Sequence, residues 1–234
     1  LANRYLETTL SSQENHRYLR EKAGYFFLDD LCLVSAKGSD LFSYLQTQTT
    51  NDVNELKPGQ GQNNAIVDRK ARVISTFSIH RTGEKSAFML VEAIQKENLL
   101  HHLNTFLFRE DVTLTSSNHF LLALQGPRSS EIIETFTQNR KSIPEKPNDI
   151  IEFTFEGQSA LAIAKSLTGE EGCVLIFQTK SKETVTQKLL EFEQQNLLIH
   201  IDHHAREVFR IESGIPSYGK DINDKNILPE TGLE

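Results

Sequence analysis

The sequence has few of the residues that build disulfide-stapled or metal-bound folds. Its two cysteines, Cys32 and Cys173, lie far apart among 234 residues and fit neither a disulfide framework nor a metal-ligand spacing. We therefore expect both to be small core residues in a reducing compartment. The neighbouring histidines His203 and His204 would diverge by about 100° on a helix and form no ligand pair, so no metal site is predicted.

A basic surface and a long apolar run are also missing. Lysine and arginine together number 25 against 32 acidic residues, and the formal net charge is −7, which excludes an extended nucleic-acid footprint. No window approaches the roughly 18 apolar residues of a membrane span, and the start of the chain is too charged for a signal peptide. We expect no nucleic-acid or membrane partner, and a cytoplasmic location, or the mitochondrial matrix if the source is eukaryotic.

What the sequence contains is a mixture of strand and helix patterns, with 38% hydrophobic residues, enough for a substantial core. Short apolar segments bounded by glycines predict strands. They are residues 25–34, 73–79, 87–92, 112–114 and 120–124. Apolar residues at helical spacing predict one helix from about Ala93 and another near Arg128. The fold class predicted is α+β.

A strand followed by a helix occurs twice, about 86 residues apart, at 88–107 and 173–190. Either the chain is an internal duplication or the match is a coincidence. A duplication predicts two similar lobes of antiparallel sheet with flanking helices, and a cleft at their junction. We expect an N-terminal helix at 1–22, a first lobe at 23–145 and a second lobe at 146–234, whose C-terminal segment packs back on the first. The loop at Pro144 and Pro147 is the predicted connection.

The polar run at 44–53 follows the start of an amphipathic helix and reads Y-L-Q-T-Q-T-T-N-D-V. Amide, hydroxyl and Asn-Asp residues favour helix ends and turns, so the run is consistent with a solvated helix exit. It also resembles the F-L-Q-x-Q-x-T-N-D-V segment of the YgfZ folate-binding family, relatives of the glycine-cleavage T-protein, an aminomethyltransferase. The resemblance implies that Asn51 and Asp52 belong to the wall of a folate site.

Three further segments extend this resemblance. Gln125 lies in the x-Q-G-P turn that both families share. Glu170 lies in a segment similar to the T-G-E-x-G-Y loop of T-proteins, which implies a carboxylate for the pterin ring, although an acidic hairpin explains it too. Arg206 and Arg210 match the A-R-x-x-x-R-x-E-A-G-I-P segment and are implied to hold the glutamyl tail of a folate, although internal salt bridges are an equal explanation.

Two positions bear on the chemistry. The basic turn at 68–73 resembles the D-P-K-G-R-V turn of the YgfZ family, with Ala71 in place of the glycine; a solvated hairpin and an anion-binding loop both fit it.

In aminomethyltransferases the following strand carries an acid pair, which falls on Ser75 and Thr76 here. Neither hydroxyl replaces a carboxylate near neutral pH, so aminomethyl transfer by that route is disfavoured.

The resemblance implies the two-lobed T-protein/YgfZ fold and a tetrahydrofolate derivative as cofactor. It implies an accessory protein that supports iron–sulfur cluster assembly or maintenance, with iron–sulfur proteins as partners. The alternatives are a tetrahydrofolate-dependent aminomethyltransferase and a non-catalytic interaction scaffold. The chain stops before the K-G-C-Y-x-G-Q-E motif and the β-barrel domain of that family, so we expect a truncated or reduced member without the barrel.

Overall fold

A computed structural model describes residues 12–137, 143–144 and 146–232. The helices in these ranges are α1 (Ser12–Glu21), α2 (Leu41–Gln48), α3 (Ala93–Thr105), α4 (Ser129–Thr137), α5 (Lys182–Gln194) and α6 (His203–Glu212). The strands are β1 (Gly24–Phe27), β2 (Leu31–Lys37), β3 (Gly61–Val67), β4 (Val73–Gly83), β5 (Ser86–Glu92), β6 (Thr113–Ser116), β7 (His119–Gln125), β8 (Ile150–Phe155), β9 (Gln158–Ala164), β10 (Gly172–Gln178) and β11 (Ile199–His200).

The strands form two sheets that share the same order over four strands. One sheet has five strands in the order β3-β4-β5-β2-β6, and the other has six in the order β11-β1-β7-β10-β9-β8. In each sheet a three-strand meander, β3-β4-β5 or β8-β9-β10, lies beside an earlier strand, β2 or β7. The neighbouring pairs are antiparallel except β1 with β11. The prediction of an α+β fold with two similar lobes is confirmed.

The inner strands β7 and β10 of the six-stranded sheet are buried on both faces, which explains why they are apolar without alternation. In β7, Leu122 and Leu124 face a core shared with α4 and α5, whereas Leu121 and Ala123 face a second core. That second core also contains residues of α1, α6 and the five-stranded sheet, among them Leu33. A third core lies between the five-stranded sheet and helices α2 and α3. The middle core therefore joins the two lobes.

The continuous strand predicted at 25–34 is wrong, because β1 ends at Phe27 and β2 starts at Leu31. Between them lies an exposed turn that contains Asp29 and Asp30. Aspartate favours turns, and here the chain leaves the six-stranded sheet for the five-stranded one. This turn brings the Asp30 carboxylate to the junction of the lobes.

The sheets divide the chain differently from the predicted lobe limits. β1 and β7 precede residue 145 but belong to the six-stranded sheet, and the loop that contains Pro144 and Pro147 joins α4 to β8 on that sheet. The domain limits themselves stay predictions, and the part of the N-terminal helix before Ser12 lies outside the described residues. After α6 the chain runs back to the five-stranded sheet, where the Val73 amide donates to the Asn226 carbonyl at 3.0 Å.

Candidate functional site

A cleft of about 150 Å³ lies where the two sheets and α6 meet. It is lined by charged, polar and apolar side chains, and the apolar ones are Leu31, Phe77, Leu90, Leu167, Ile215 and Pro216. Its charged residues are Asp30, Glu92, Lys165, Arg206, Glu207 and Arg210. Three acids and three bases in one small cleft indicate a site built for a polar, charged ligand.

Helix α6 supplies both arginines of the cleft. Its start is fixed by Asp202, whose carboxylate accepts from the Ala205 amide at 2.8 Å, a normal N-cap. Arg206 and Arg210 are four residues apart and so share one face of the helix. Sequence analysis predicted both as site residues, and the structure places both in the cleft wall.

Both arginines are already held by acids of the chain. The Arg206 guanidinium donates two hydrogen bonds to the Asp30 carboxylate, at 3.0 and 2.7 Å, and lies over the Phe26 ring. Arg210 donates to Glu207 at 3.3 Å and to Asp221 at 2.5 Å. A bidentate pair of this kind fixes an arginine firmly. The two arginines therefore have limited capacity left for a ligand carboxylate.

Lys165 is the cation of the cleft that has no acid partner among the described residues. Its ammonium donates to the Asn148 side-chain oxygen at 3.3 Å, and no described carboxylate pairs with it. Burial lowers the pKa of Lys165 to about 8, since the charged form loses hydration. A largely buried ammonium without a counter-ion is a natural partner for an anion.

Glu92 is the acid of the cleft for which the described part of the chain provides no cationic partner at hydrogen-bond distance. It ends β5 immediately before α3, and its carboxylate accepts from the Ser217 hydroxyl and the Tyr218 amide, both at 3.1 Å. Burial raises the pKa of Glu92, the nearby Asp30 charge adds to this, and the two hydrogen bonds and Arg210 oppose it. The carboxylate therefore lies in a poorly hydrated, acidic corner of the cleft.

The polar run at 44–53 supports the cleft from behind. The Asn51 side chain donates to the Asn63 carbonyl at 2.9 Å, and the Asn51 amide donates to the Asn64 side-chain oxygen at 3.0 Å. Asn63 and Asn64 line the cleft, whereas Asn51 does not. Asp52 accepts from the Asn54 amide at 3.0 Å and is exposed. The run is thus a helix exit whose side chains position two asparagines of β3.

Gln125 plays a similar supporting part on the other side. Its buried side chain donates to the Lys165 carbonyl at 2.9 Å and accepts from the Leu167 amide at 2.7 Å. Gly126 follows with a φ of 112°, and a β-carbon there would lie 2.5 Å from the Lys22 carbonyl oxygen, so only glycine fits. Gln125 therefore fixes the loop that carries Lys165 without lining the cleft itself.

Glu170 lies apart from these residues. Its carboxylate accepts from Arg20 at 2.6 Å, and Arg20 also pairs with Glu212 at 3.1 Å. Glu170 does not line the cleft of Arg206 and Arg210. The pterin-binding role implied by the resemblance stays a prediction, and in this conformation it would require Arg20 to release the carboxylate.

Comparison with known proteins decides the family. The model of the GCVT N-terminal domain matches residues 1–234. The chain belongs to the GCVT N-terminal domain family. Its curated relatives include an aminomethyltransferase of Prosthecochloris aestuarii, 30% identical over 94% of this chain and 61% of that protein, and one of Thermus thermophilus, 28% identical over 91% and 60%. The chain thus spans about three fifths of the length of these relatives.

The fold of this GCVT N-terminal domain is also found in a solved structure. The aminomethyltransferase T of the glycine cleavage system from Bartonella henselae superposes with a TM-score of 0.83 at 20% identity, covering 92% of this chain and 58% of that one. At that identity the match shows a shared fold. The family model and the curated relatives confirm the predicted T-protein superfamily, while the YgfZ-like branch and the truncation before K-G-C-Y-x-G-Q-E stay predictions.

The prediction of an accessory protein for iron–sulfur cluster assembly is wrong for this GCVT N-terminal domain. Relatives over nine tenths of the chain carry the name aminomethyltransferase, which agrees with the alternative. The prediction depended on the amide run at 44–53 and on the basic turn as features specific to the YgfZ-like branch. In the structure the run binds β3, and Asp68 organises the turn by accepting from the Lys70 and Arg72 amides, so both are structural signals of the fold.

Sequence reasoning predicted only Arg206 and Arg210 of the cleft lining and missed its other residues, among them Glu92 and Lys165. Glu92 is the last residue of β5, and Lys165 comes directly after β9. A charged residue at the end of an apolar strand was the available signal for both. Among the described residues of this GCVT N-terminal domain, no cluster of His, Cys, Asp and Glu could hold a metal ion. In the same part of the chain, no helix has the length and apolarity to cross a membrane.

Proposed function

We propose that this chain forms the tetrahydrofolate-binding part of an aminomethyltransferase. The proposal is supported chiefly by the charged cleft between the two lobes, in a chain whose relatives over nine tenths of its length are aminomethyltransferases. A reduced folate combines a flat polar ring, secondary amines and glutamyl carboxylates. The cleft offers a match for each of these groups.

The cationic side of the cleft suits the glutamyl tail. Lys165 has no carboxylate partner among the described residues, so it is free to pair with a ligand carboxylate. Arg206 adds positive potential but is held by Asp30, and Arg210 is held by Glu207 and Asp221. We therefore expect Lys165 to make the closest contact with the tail, and the two arginines to shape the wall and the field around it.

The polar wall suits the ring. Asn64 is 3% exposed and lines the cleft, and its side-chain nitrogen has no hydrogen-bond partner among the described residues. An unpaired buried donor is costly, and a carbonyl of a ligand ring would satisfy it. The cleft encloses about 150 Å³, less than the roughly 300 Å³ at the lower end of typical ligand pockets, so part of a folate would extend out of it.

The test is calorimetric titration with folinic acid, together with Arg206→Ala and Glu170→Ala variants. Arg128→Ala is the matched control, since Arg128 pairs only with exposed Glu131 among the residues described. We expect micromolar-range binding by the wild type and the control, and binding at least tenfold weaker for Arg206→Ala. Glu170→Ala decides whether the implied pterin contact exists. Absence of binding by the wild type contradicts the proposal.

Transfer activity is tested separately, by supplying tetrahydrofolate and a lipoyl carrier protein that bears an aminomethyl group. We expect methylene-tetrahydrofolate and ammonia as products, measured by absorbance and by ammonia release. Folate binding without any product would restrict the chain to a binding role. Ser75 and Thr76 make this assay informative, because the resemblance implies that these hydroxyls stand where aminomethyltransferases carry an acid pair.

A further inference from the structure

Glu92 is built into the cleft with unused hydrogen-bonding capacity. An ionised carboxylate can accept about four hydrogen bonds, and Glu92 accepts two, from Ser217 and Tyr218. It is also the N-cap residue of α3, yet its side chain makes no capping bond to that helix. Here the side chain lies in the cleft wall instead.

Glu92 lies on the strand next to the one that carries Ser75 and Thr76. Strands β4 and β5 are antiparallel, with Phe77 opposite Val91. One position further, the same register places Thr76 beside Glu92, and both line the cleft. The backbone pairing of β4 with β5 does not continue to this position, where the Thr76 amide donates to the Gln95 side chain at 2.6 Å. The Glu92 carboxylate thus lies one strand away from Thr76, whereas Ser75 is fully buried and does not line the cleft.

The charges around Glu92 favour a cationic or N–H-bearing ligand group over an anion. Asp30 is a second carboxylate close enough to raise the pKa of Glu92. Arg206 and Arg210 are occupied by Asp30, Glu207 and Asp221. A ligand amine that donated to Glu92 would relieve the repulsion between two carboxylates and fill the open acceptor positions.

We infer that Glu92 is the carboxylate that binds the ring amine of the reduced pterin in this cleft, in place of an acid at Ser75 or Thr76. The inference rests on the proposed function, because the amine is that of a tetrahydrofolate. It assigns a binding role to a residue of β5. The Glu92 side chain would then account for a preference for folates whose ring nitrogen N5 carries a hydrogen.

Two probes separate this role from a merely structural one. Tetrahydrofolate carries an N–H at N5, whereas in folinic acid the same nitrogen bears a formyl group and is neither basic nor a donor. For Glu92→Gln we expect the Kd for tetrahydrofolate to rise at least tenfold and the Kd for folinic acid to change less than threefold. Glu84→Gln, at an exposed hairpin, is the matched control. Thermal melting of each variant monitors folding.

The outcomes are distinct. A selective loss of tetrahydrofolate affinity supports the inference. An equal loss of affinity for both probes, or no loss for either, overturns the inference. Neither result contradicts the proposed folate-binding function, because the wild type still binds. Wild-type protein that binds neither probe contradicts the proposed function itself. If Glu92→Gln does not fold, Glu92→Asp serves in its place, and retention of full preference for tetrahydrofolate after this shortening overturns the inference.

Discussion

Replacing Lys165 by methionine tests the cost of keeping a buried charge in the cleft. Methionine has a similar length and no charge, so it fills the space without the ammonium. Burial lowers the pKa of Lys165 from 10.5 to about 8. One pKa unit corresponds to about 1.4 kcal/mol, so the charged lysine costs at most about 3 kcal/mol of folding free energy at pH 7. We expect Lys165→Met to be more stable by up to that amount.

The sign of the pH dependence follows from the direction of the shift. Between about pH 8 and pH 10.5 the unfolded chain holds a proton that the folded protein releases, so the wild type gains stability as the pH rises. At pH 9.5 the remaining cost falls to about 1 kcal/mol. The advantage of Lys165→Met should therefore shrink by about 2 kcal/mol between pH 7 and pH 9.5.

Urea unfolding at both pH values, followed by circular dichroism, measures this difference. Lys188→Met is the matched control, because Lys188 lies on α5 in a partly exposed pair with Glu191, and we expect its effect to stay within about 0.5 kcal/mol. An advantage of Lys165→Met that did not depend on pH would refute the reasoning. The same variant should bind folinic acid at least tenfold more weakly, since stability gained at a binding residue commonly costs function.

Three further predictions concern residues outside the cleft wall. Burial lowers the pKa of His80 to about 3, so below pH 6.5 the unfolded chain takes up a proton that the folded protein does not bind. The free energy of unfolding of the wild type should therefore fall by about 2 kcal/mol between pH 7 and pH 5 through this group. Urea unfolding of His80→Gln should show a correspondingly smaller fall. Ala71 has a φ of 60°, so Ala71→Gly should raise stability by about 0.5–1 kcal/mol in urea unfolding, and a decrease would contradict the strain. Burial raises the pKa of the Cys173 thiol to about 12, so iodoacetamide at pH 8 should label a Cys32→Ser variant only after denaturation.

Local patterns predicted much of the fold. The start of α3 at Ala93 matches the prediction, because the apolar spacing of that segment is a local property. The apolar segment 120–124 predicted a strand, and β7 is buried on both faces. The turn at Asp29 and Asp30 was missed, since an apolar run on either side concealed a short polar interruption. A strand of ten residues and two strands joined by a turn have nearly the same local pattern.

The sequence by itself determined the α+β class and the placement of Arg206 and Arg210 on one helix face, whereas a duplication and a coincidence both fitted the repeat of strand and helix. Only the tertiary structure decided which charges of the cleft are free. Arg206 pairs with Asp30, 176 residues away, and Glu92 accepts from Ser217, 125 residues away. Periodicity reports contacts within a few residues, whereas these pairs exist because two sheets and α6 pack at one junction. The same packing leaves Lys165 without an acid and Glu92 without a base among the described residues, and no local pattern contains that information.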